Sequence, residues 1–177
     1  MKTALTISFL ALFVAFSVKV KNDLRSEKSP LGAIKIGEMM PDFTLPDPAG
    51  TDVTFSQAKG QNKVVVINFW ASWCAPCRIE MPSFEKMYKA KKQSGLLILG
   101  VNEDEERAKM DEYLKGKPVS FPVLVDQGSE LMKRFGVRAL PTTIVVNSDG
   151  KVQMVYEGLQ EYLEFLVESQ LKASPSK

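Results

Sequence analysis

The chain has 177 residues, enough for one domain with a substantial core. With 45% hydrophobic residues, 25% charged residues and a net charge of +2, the composition argues against a disordered chain, a multi-span membrane protein and the basic face of a nucleic-acid binder. Histidine is absent, which removes His general bases, Cys–His nucleophile pairs and imidazole-bound metals, and leaves acid–base work to carboxylates, lysines, tyrosines or thiols.

Charge is unevenly spread, with five basic and two acidic residues in positions 1–28. Behind Lys2, residues 3–18 form a charge-free, largely apolar stretch, shorter than the ~20 residues that comfortably span a bilayer and near the upper limit of a signal-peptide core. Residues 1–20 are therefore read as a signal peptide or membrane anchor. The small-x-small site Ala15-Phe16-Ser17 favours cleavage and the short apolar segment allows anchoring, so both outcomes stay open. Residues 21–35 read as a polar tether, residues 36–172 as the folded domain and 173–177 as a loose tail.

Within the domain, residues 42–45 and 53–55 predict a β-hairpin around Pro46-Asp47-Pro48-Ala49-Gly50. A polar turn at 59–63 precedes an unbroken apolar run at 64–70, the pattern of a strand in the middle of a sheet. A helix is predicted over 76–93, with Pro76 in its first turn, a kink at Pro82 and Gly95 beyond its end. A buried strand follows at 96–101. The acidic run Glu103-Asp104-Glu105-Glu106 reads as the first turn of a second helix, solvated and complementing its dipole, reaching about Lys115.

A short strand at 122–125, a helix at 129–135 stopped by Gly136, and a hairpin of 142–146 with 151–156 around Asn147-Ser148-Asp149-Gly150 come next. The final helix, 160–171, places Tyr162, Phe165, Leu166 and Ser169 at helical spacing, read as its core-facing stripe. Strands alternating with helices imply an α/β domain whose central sheet is covered on both faces.

The only two cysteines stand three apart in Trp73-Cys74-Ala75-Pro76-Cys77, where the apolar strand meets the first helix. Backbone N–H groups and the positive dipole end at a helix start favour thiolate over thiol, and the thiolate is the nucleophile of disulfide exchange. A purely structural bridge is a poor alternative, because closing a four-residue ring removes only about 2 kcal/mol of unfolded-state entropy, against roughly 4–5 for a loop near 100 residues. Two cysteines without histidine cannot complete a zinc site, and Arg78 after Cys77 breaks the haem-attachment pattern.

Phe69-Trp70-Ala71-Ser72-Trp73-Cys74-Ala75-Pro76-Cys77, followed by Leu140-Pro141-Thr142-Thr143, resembles the thioredoxin-fold proteins. The apolar N-terminus, the Pro41-Asp42-Phe43-x-Leu45 entry and the extra helix–strand segment at about 104–125 resemble their exported ResA/TlpA branch, which reduces disulfides during cytochrome c maturation. The resemblance implies a thioredoxin-like α/β fold: a central mixed sheet flanked by helices, an N-terminal β-hairpin and a central helix–strand insert. It implies a protein-disulfide reductase with Cys74 and Cys77 as the redox pair and substrate contacts at Trp73, Ala75, Pro76, Leu140 and Pro141. It also implies a cis peptide bond before Pro141, main-chain pairing of substrate at Leu140, and a partner membrane-embedded thiol that returns electrons.

The chain carries Asn68 where thioredoxins proper have a buried Asp, and Glu80, three residues after Cys77, matches a glutamate implicated in ResA-type sites. Glu80 is therefore expected to supply the missing acid–base function, with its pKa raised by partial burial. Trp70 is read as core. No metal, flavin or nicotinamide is called for, and the expected location is the periplasm or outer face of the cytoplasmic membrane, with residues 3–18 as a possible tether. The same motif serves an exported disulfide oxidase or isomerase at another potential. A peroxiredoxin-like peroxidase wants Pro-x-x-x-Thr-x-x-Cys, and Ile67 and Ala71 stand at the Pro and Thr positions. A copper or haem chaperone is disfavoured by the lack of histidine.

Overall fold

The computed structural model describes residues 31–160 and 162–173. The expected signal or anchor, residues 21–30 of the tether and residues 174–177 lie outside them. Among the described residues, no helix is long and apolar enough to cross a membrane.

Strands β1 (Thr44–Pro46) and β2 (Asp52–Thr54) form a separate antiparallel pair. The Asp47 carboxylate closes their turn by accepting the N–H groups of Ala49 and Thr51. Helix α1 (Phe55–Lys59) follows, then β3 (Val64–Trp70), α2 (Ala75–Lys91), β4 (Leu96–Asn102), α3 (Arg107–Gly116) and β5 (Val123–Val125). The chain ends with α4 (Glu130–Phe135), β6 (Thr142–Asn147), β7 (Val152–Glu157) and α5 (Leu163–Ala173).

The main sheet has the order β5-β4-β3-β6-β7, with β5, β4 and β3 parallel and β6 and β7 antiparallel to their neighbours. It is the mixed sheet of a thioredoxin-like fold. Every residue of β3 and β4 is buried, so the alternation of strand side chains fills two cores. Val65, Ile67 and Phe69 pack with Leu31, Ile34, Phe43, Phe55 and Phe135 on one face. Val64, Val66 and Trp70 pack with Met81, Phe84 and Met87 of α2 and Leu163 and Val167 of α5 on the other. Trp70 is fully buried, as its sequence context predicts. Gly100 of β4 packs closely beneath it: a Cβ there would lie 3.2 Å from Trp70 Nε1 and 3.0 Å from Phe121, so the rings would have to give.

Four sequence expectations change. Phe55, assigned to a strand, instead opens α1, because the Asp42 carboxylate receives both the N–H and the hydroxyl of Ser56 and so caps the helix from fourteen residues away. Leu31 and Ile34, assigned to the polar tether, are 1% and 0% exposed and belong to the core. Glu103 and Asp104 are not the solvated first turn of α3, which starts at Arg107; both are buried in the loop before it. The buried stripe of α5 is Leu163 and Val167, while Tyr162, Phe165 and Ser169 are exposed and Leu166 is half-buried. Placing the stripe one residue early rotates the helix by about 100°, enough to turn most of the predicted stripe out of the core.

Helix α2 continues through Pro82, and a short 3₁₀ turn, Lys92–Ser94, carries it to Gly95, whose φ of +100° suits a residue without a Cβ.

Candidate active site

The centre of the sheet delivers the cysteine pair. After Trp70 the chain leaves β3, turns at Ala71, and Cys74 becomes the N-cap of α2, where its sulfur accepts the N–H of Cys77 at 3.2 Å. Pro76 lies in the first turn, where a missing N–H leaves no bond unmade. Cys74 and Cys77 are joined as a disulfide with Cα atoms 5.3 Å apart. Cys74 is 4% exposed and Cys77 is fully buried, so both lie within the protein and Cys74 is the less enclosed of the two. Ala75 is exposed and Pro76 half-buried beside them, while Trp73 and Ile79 expose about two thirds of their surface, 65% and 66%.

Asp104 fixes the turn that carries Trp73. Its carboxylate accepts the Ser72 N–H at 3.0 Å and the Ser72 hydroxyl at 2.8 Å, and is itself held by the Asn102 amide at 2.8 Å. Sequence reasoning missed this role because a run of four acids at a helix start ordinarily faces water. The signal lay in Ser72, a polar residue in an apolar stretch that needed an acceptor.

Glu80 follows Cys77 by nearly one turn of α2 and faces the sheet at 6% exposure. Its Oε1 accepts the amide N–H of Asn68 at 2.8 Å, and Oε2 has no hydrogen-bond partner. The same amide donates to the Thr143 hydroxyl at 3.1 Å, across the β3–β6 ladder that pairs Asn68 with Thr143. Burial pushes the Glu80 carboxyl up to about 7, against the smaller opposing effect of the Asn68 hydrogen bond. A carboxyl that titrates at neutral pH can both take and return a proton. It is reached from a groove of about 260 Å³ that Ile79, Phe84, Leu159 and Leu163 also line.

The peptide bond between Leu140 and Pro141 is cis. Pro141 is buried and its carbonyl accepts the Gly158 N–H, while the Thr142 hydroxyl donates to the Ala139 carbonyl, so both sides of the bond are tied down. Leu140 is half-buried and packs against both cores. Leu140 and Trp73 line the same cleft of about 340 Å³, which brings the segment before the proline beside the cysteine loop. The structure thus brings Trp73, Cys74, Cys77, Glu80, Leu140 and Pro141 to one end of β3 and β6. Among the described residues, no cluster of three or more metal-binding side chains occurs.

Comparison with known proteins adds a family to this geometry. Residues 36–155 match the model of the AhpC/TSA family. A thiol-disulfide oxidoreductase ResA of Bacillus thuringiensis subsp. konkukian is 35% identical over 137 residues, covering 74% of this chain and 78% of the relative. The ResA of Bacillus subtilis strain 168 is 34% identical over 149 residues, covering 84% and 80%. Among solved structures, the thioredoxin domain of a thiol-disulfide oxidoreductase from Bacteroides vulgatus superposes with a TM-score of 0.70 at 25% identity, over 78% of this chain and 99% of that one. The cysteine pair at the helix start is therefore met in its usual company: the chain belongs to the AhpC/TSA family and is a thiol–disulfide oxidoreductase of the ResA type.

Proposed function

We propose that the protein works as a reductase of disulfides in exported proteins, apocytochrome c among them, with Cys74 as nucleophile, Cys77 as resolving thiol and Glu80 as the group that exchanges the Cys77 proton. The Cys74 thiolate attacks one sulfur of the substrate disulfide and expels the other as a thiolate, which takes a proton from water. The Cys77 thiol then gives its proton to the Glu80 carboxylate and attacks Cys74 Sγ in the mixed disulfide, expelling the second substrate sulfur. Two electrons pass to the substrate, and the protein is left with the Cys74–Cys77 disulfide.

The observation that carries this reading is the buried Glu80 carboxyl, raised to about 7 and one helical turn from the fully buried Cys77. Desolvation alone disfavours a Cys77 thiolate, so resolution needs a base inside the protein, and an ordinary carboxylate near 4 is a weak one. Trp73, Ala75 and Pro76 form the exposed surface around Cys74, and Leu140 with Pro141 forms the opposing wall where substrate main chain pairs. Reduction in an oxidising compartment requires electrons from across a membrane, so a membrane-embedded thiol is the donor. Residues 3–18 direct the chain to the periplasm or the outer face of the cytoplasmic membrane, or tether it there.

Trapping tests the reading. Cys77→Ser, expressed in its own host, is expected to hold exported proteins, apocytochromes included, as mixed disulfides through Cys74. An empty trap with normal export contradicts the proposal. A reduction potential above about −200 mV contradicts the direction of electron flow and favours an oxidase or isomerase instead.

A further inference from the structure

Among the described residues, the mechanism above leaves three buried carboxyl groups unused, and Glu103 stands apart from Asp104 and Asp126, whose oxygens accept well-formed hydrogen bonds. Glu103 is 5% exposed, its N–H donates to the Trp70 carbonyl at 2.9 Å, and neither of its buried carboxyl oxygens makes a hydrogen bond of good geometry. It lines the cleft of about 340 Å³ whose walls include Trp73, Met132 and Leu140. A buried carboxyl without a well-formed hydrogen bond is costly, and native structures rarely keep one without a use.

Its surroundings specify what is missing. From the β5–α4 connection, Asp126 and the Ser129 hydroxyl stand beside Glu103, and the Asp126 carboxylate accepts the N–H groups of Leu131 and Met132 at 3.0 and 2.8 Å. Asp104 and Glu105 come from its own loop, Lys109 from α3 and Arg138 from the segment before β6. Lys109 is paired with Glu106 at 2.8 Å, and Arg138 makes an interaction of its own. Carboxyl groups thus outnumber cations around the cleft. Burial first raises the Glu103 carboxyl to about 8, with the Ser129 hydroxyl opposing the rise and the like charge of Asp126 adding to it. A cation entering the cleft relieves both the burial and the like charge. The apolar walls match the methylene stem of a long basic side chain, and the exposed Trp73 ring stands at the same cleft, where a cationic head can meet an aromatic surface.

Trp73 directly precedes Cys74 and Leu140 directly precedes Pro141, so a peptide whose disulfide meets Cys74 runs past this cleft. We propose that the cleft is a specificity subsite for a lysine or arginine side chain lying within a few residues of the substrate disulfide. The inference rests on the reductase reading and adds a sequence preference to it.

The test uses short peptides whose single cysteine is disulfide-linked to 5-thio-2-nitrobenzoate, carrying arginine or its neutral isostere citrulline one or two positions before or after that cysteine. Reduced protein attacks the peptide sulfur and releases the coloured thiolate, and Cys77 then frees the peptide thiol and leaves the protein disulfide. At about pH 8 the arginine peptide of the preferred register is expected to react about tenfold faster than its citrulline twin, through tighter half-saturation rather than a higher limiting rate. Ionisation of Cys74 affects both peptides alike and cancels in the ratio. The ratio should fall as pH drops towards about 6, where Glu103 holds its proton. In Glu103→Gln the ratio should collapse to about one, whereas Glu112→Gln, which removes an exposed charge on α3 outside the cleft, should keep it. Equal rates for arginine and citrulline at every register in the unmodified protein, or a preference that persists in Glu103→Gln, overturn the subsite. Should Glu103→Gln fail to fold, the ratio and its pH dependence in the unmodified protein decide alone. Failure to reduce any of the peptides contradicts the reductase reading itself.

Discussion

Replacing Glu80 by glutamine should change how stability depends on pH, by an amount the structure fixes. In the folded protein the Glu80 carboxyl sits near 7, against 4.5 for the free group, because burial disfavours the anion and Asn68 supplies only one compensating hydrogen bond. The fold therefore binds this proton more tightly than the unfolded chain does. Its contribution is fully present below about 4.5, declines as pH rises towards 7, and is constant above. At roughly 1.4 kcal/mol per unit, the loss across that window is on the order of 3 kcal/mol. Glutamine keeps the size and the Asn68 contact but cannot ionise. Urea unfolding of the oxidised protein at a series of pH values should show the stability of Glu80→Gln gaining on the unmodified protein by about that amount between pH 4.5 and 8. Glu103 contributes its own pH dependence, but it is common to both proteins and drops out of the difference. Two stability curves that run parallel across this range would refute the assignment of a raised Glu80 pKa.

Gly100→Ala should destabilise by about 1–3 kcal/mol in the same assay, because its Cβ meets the Trp70 indole and the Phe121 ring in a filled core. Asp104→Asn should loosen the cysteine loop by weakening the bonds from Ser72, read as a rise in proteolysis and hydrogen exchange at 71–73 with a loss of about 1–3 kcal/mol. Lys91→Met, which breaks the partly exposed ion pairs to Glu164 and Glu168 across α2 and α5, should cost less than about 1 kcal/mol. Purified protein should not turn over hydrogen peroxide rapidly, since Ile67 and Ala71 replace the proline and threonine of a peroxidatic site; rapid turnover would restore that reading.

Much of the fold was legible because its strongest signals are local. The run Val64–Trp70 is apolar throughout, as only a strand covered on both faces needs to be, and Pro76 and Gly95 punctuate α2 by their own backbone constraints. The readings that changed depend on partners distant in sequence. Helix α1 is capped by Asp42, fourteen residues before Ser56, and no residue near 55 announces it. The acid run at 103–106 has the composition of a solvated helix start, yet Ser72, Asn102 and the β5–α4 connection draw its first two members inward. Tyr162 just before α5 and Phe165 on it have the larger side chains, but the space beneath the helix is filled by Leu163 and Val167. At the site, the spacing of Cys74, Cys77 and Glu80 along one helix was visible in the sequence. The Thr143 hydroxyl opposite Asn68 and the buried Glu103 required the sheet register and the loop packing to be known.

Ionisation of the Cys74 thiol is the most direct measure of the account. The reduced protein, alkylated with iodoacetamide over a range of pH, should react at Cys74 with a midpoint clearly below the roughly 8.5 of a free thiol, because the Cys77 N–H and the start of α2 point at that sulfur. Cys77 should remain protected under the same conditions. A midpoint at or above that of a free thiol, or faster labelling of Cys77 than of Cys74, would contradict the central claim.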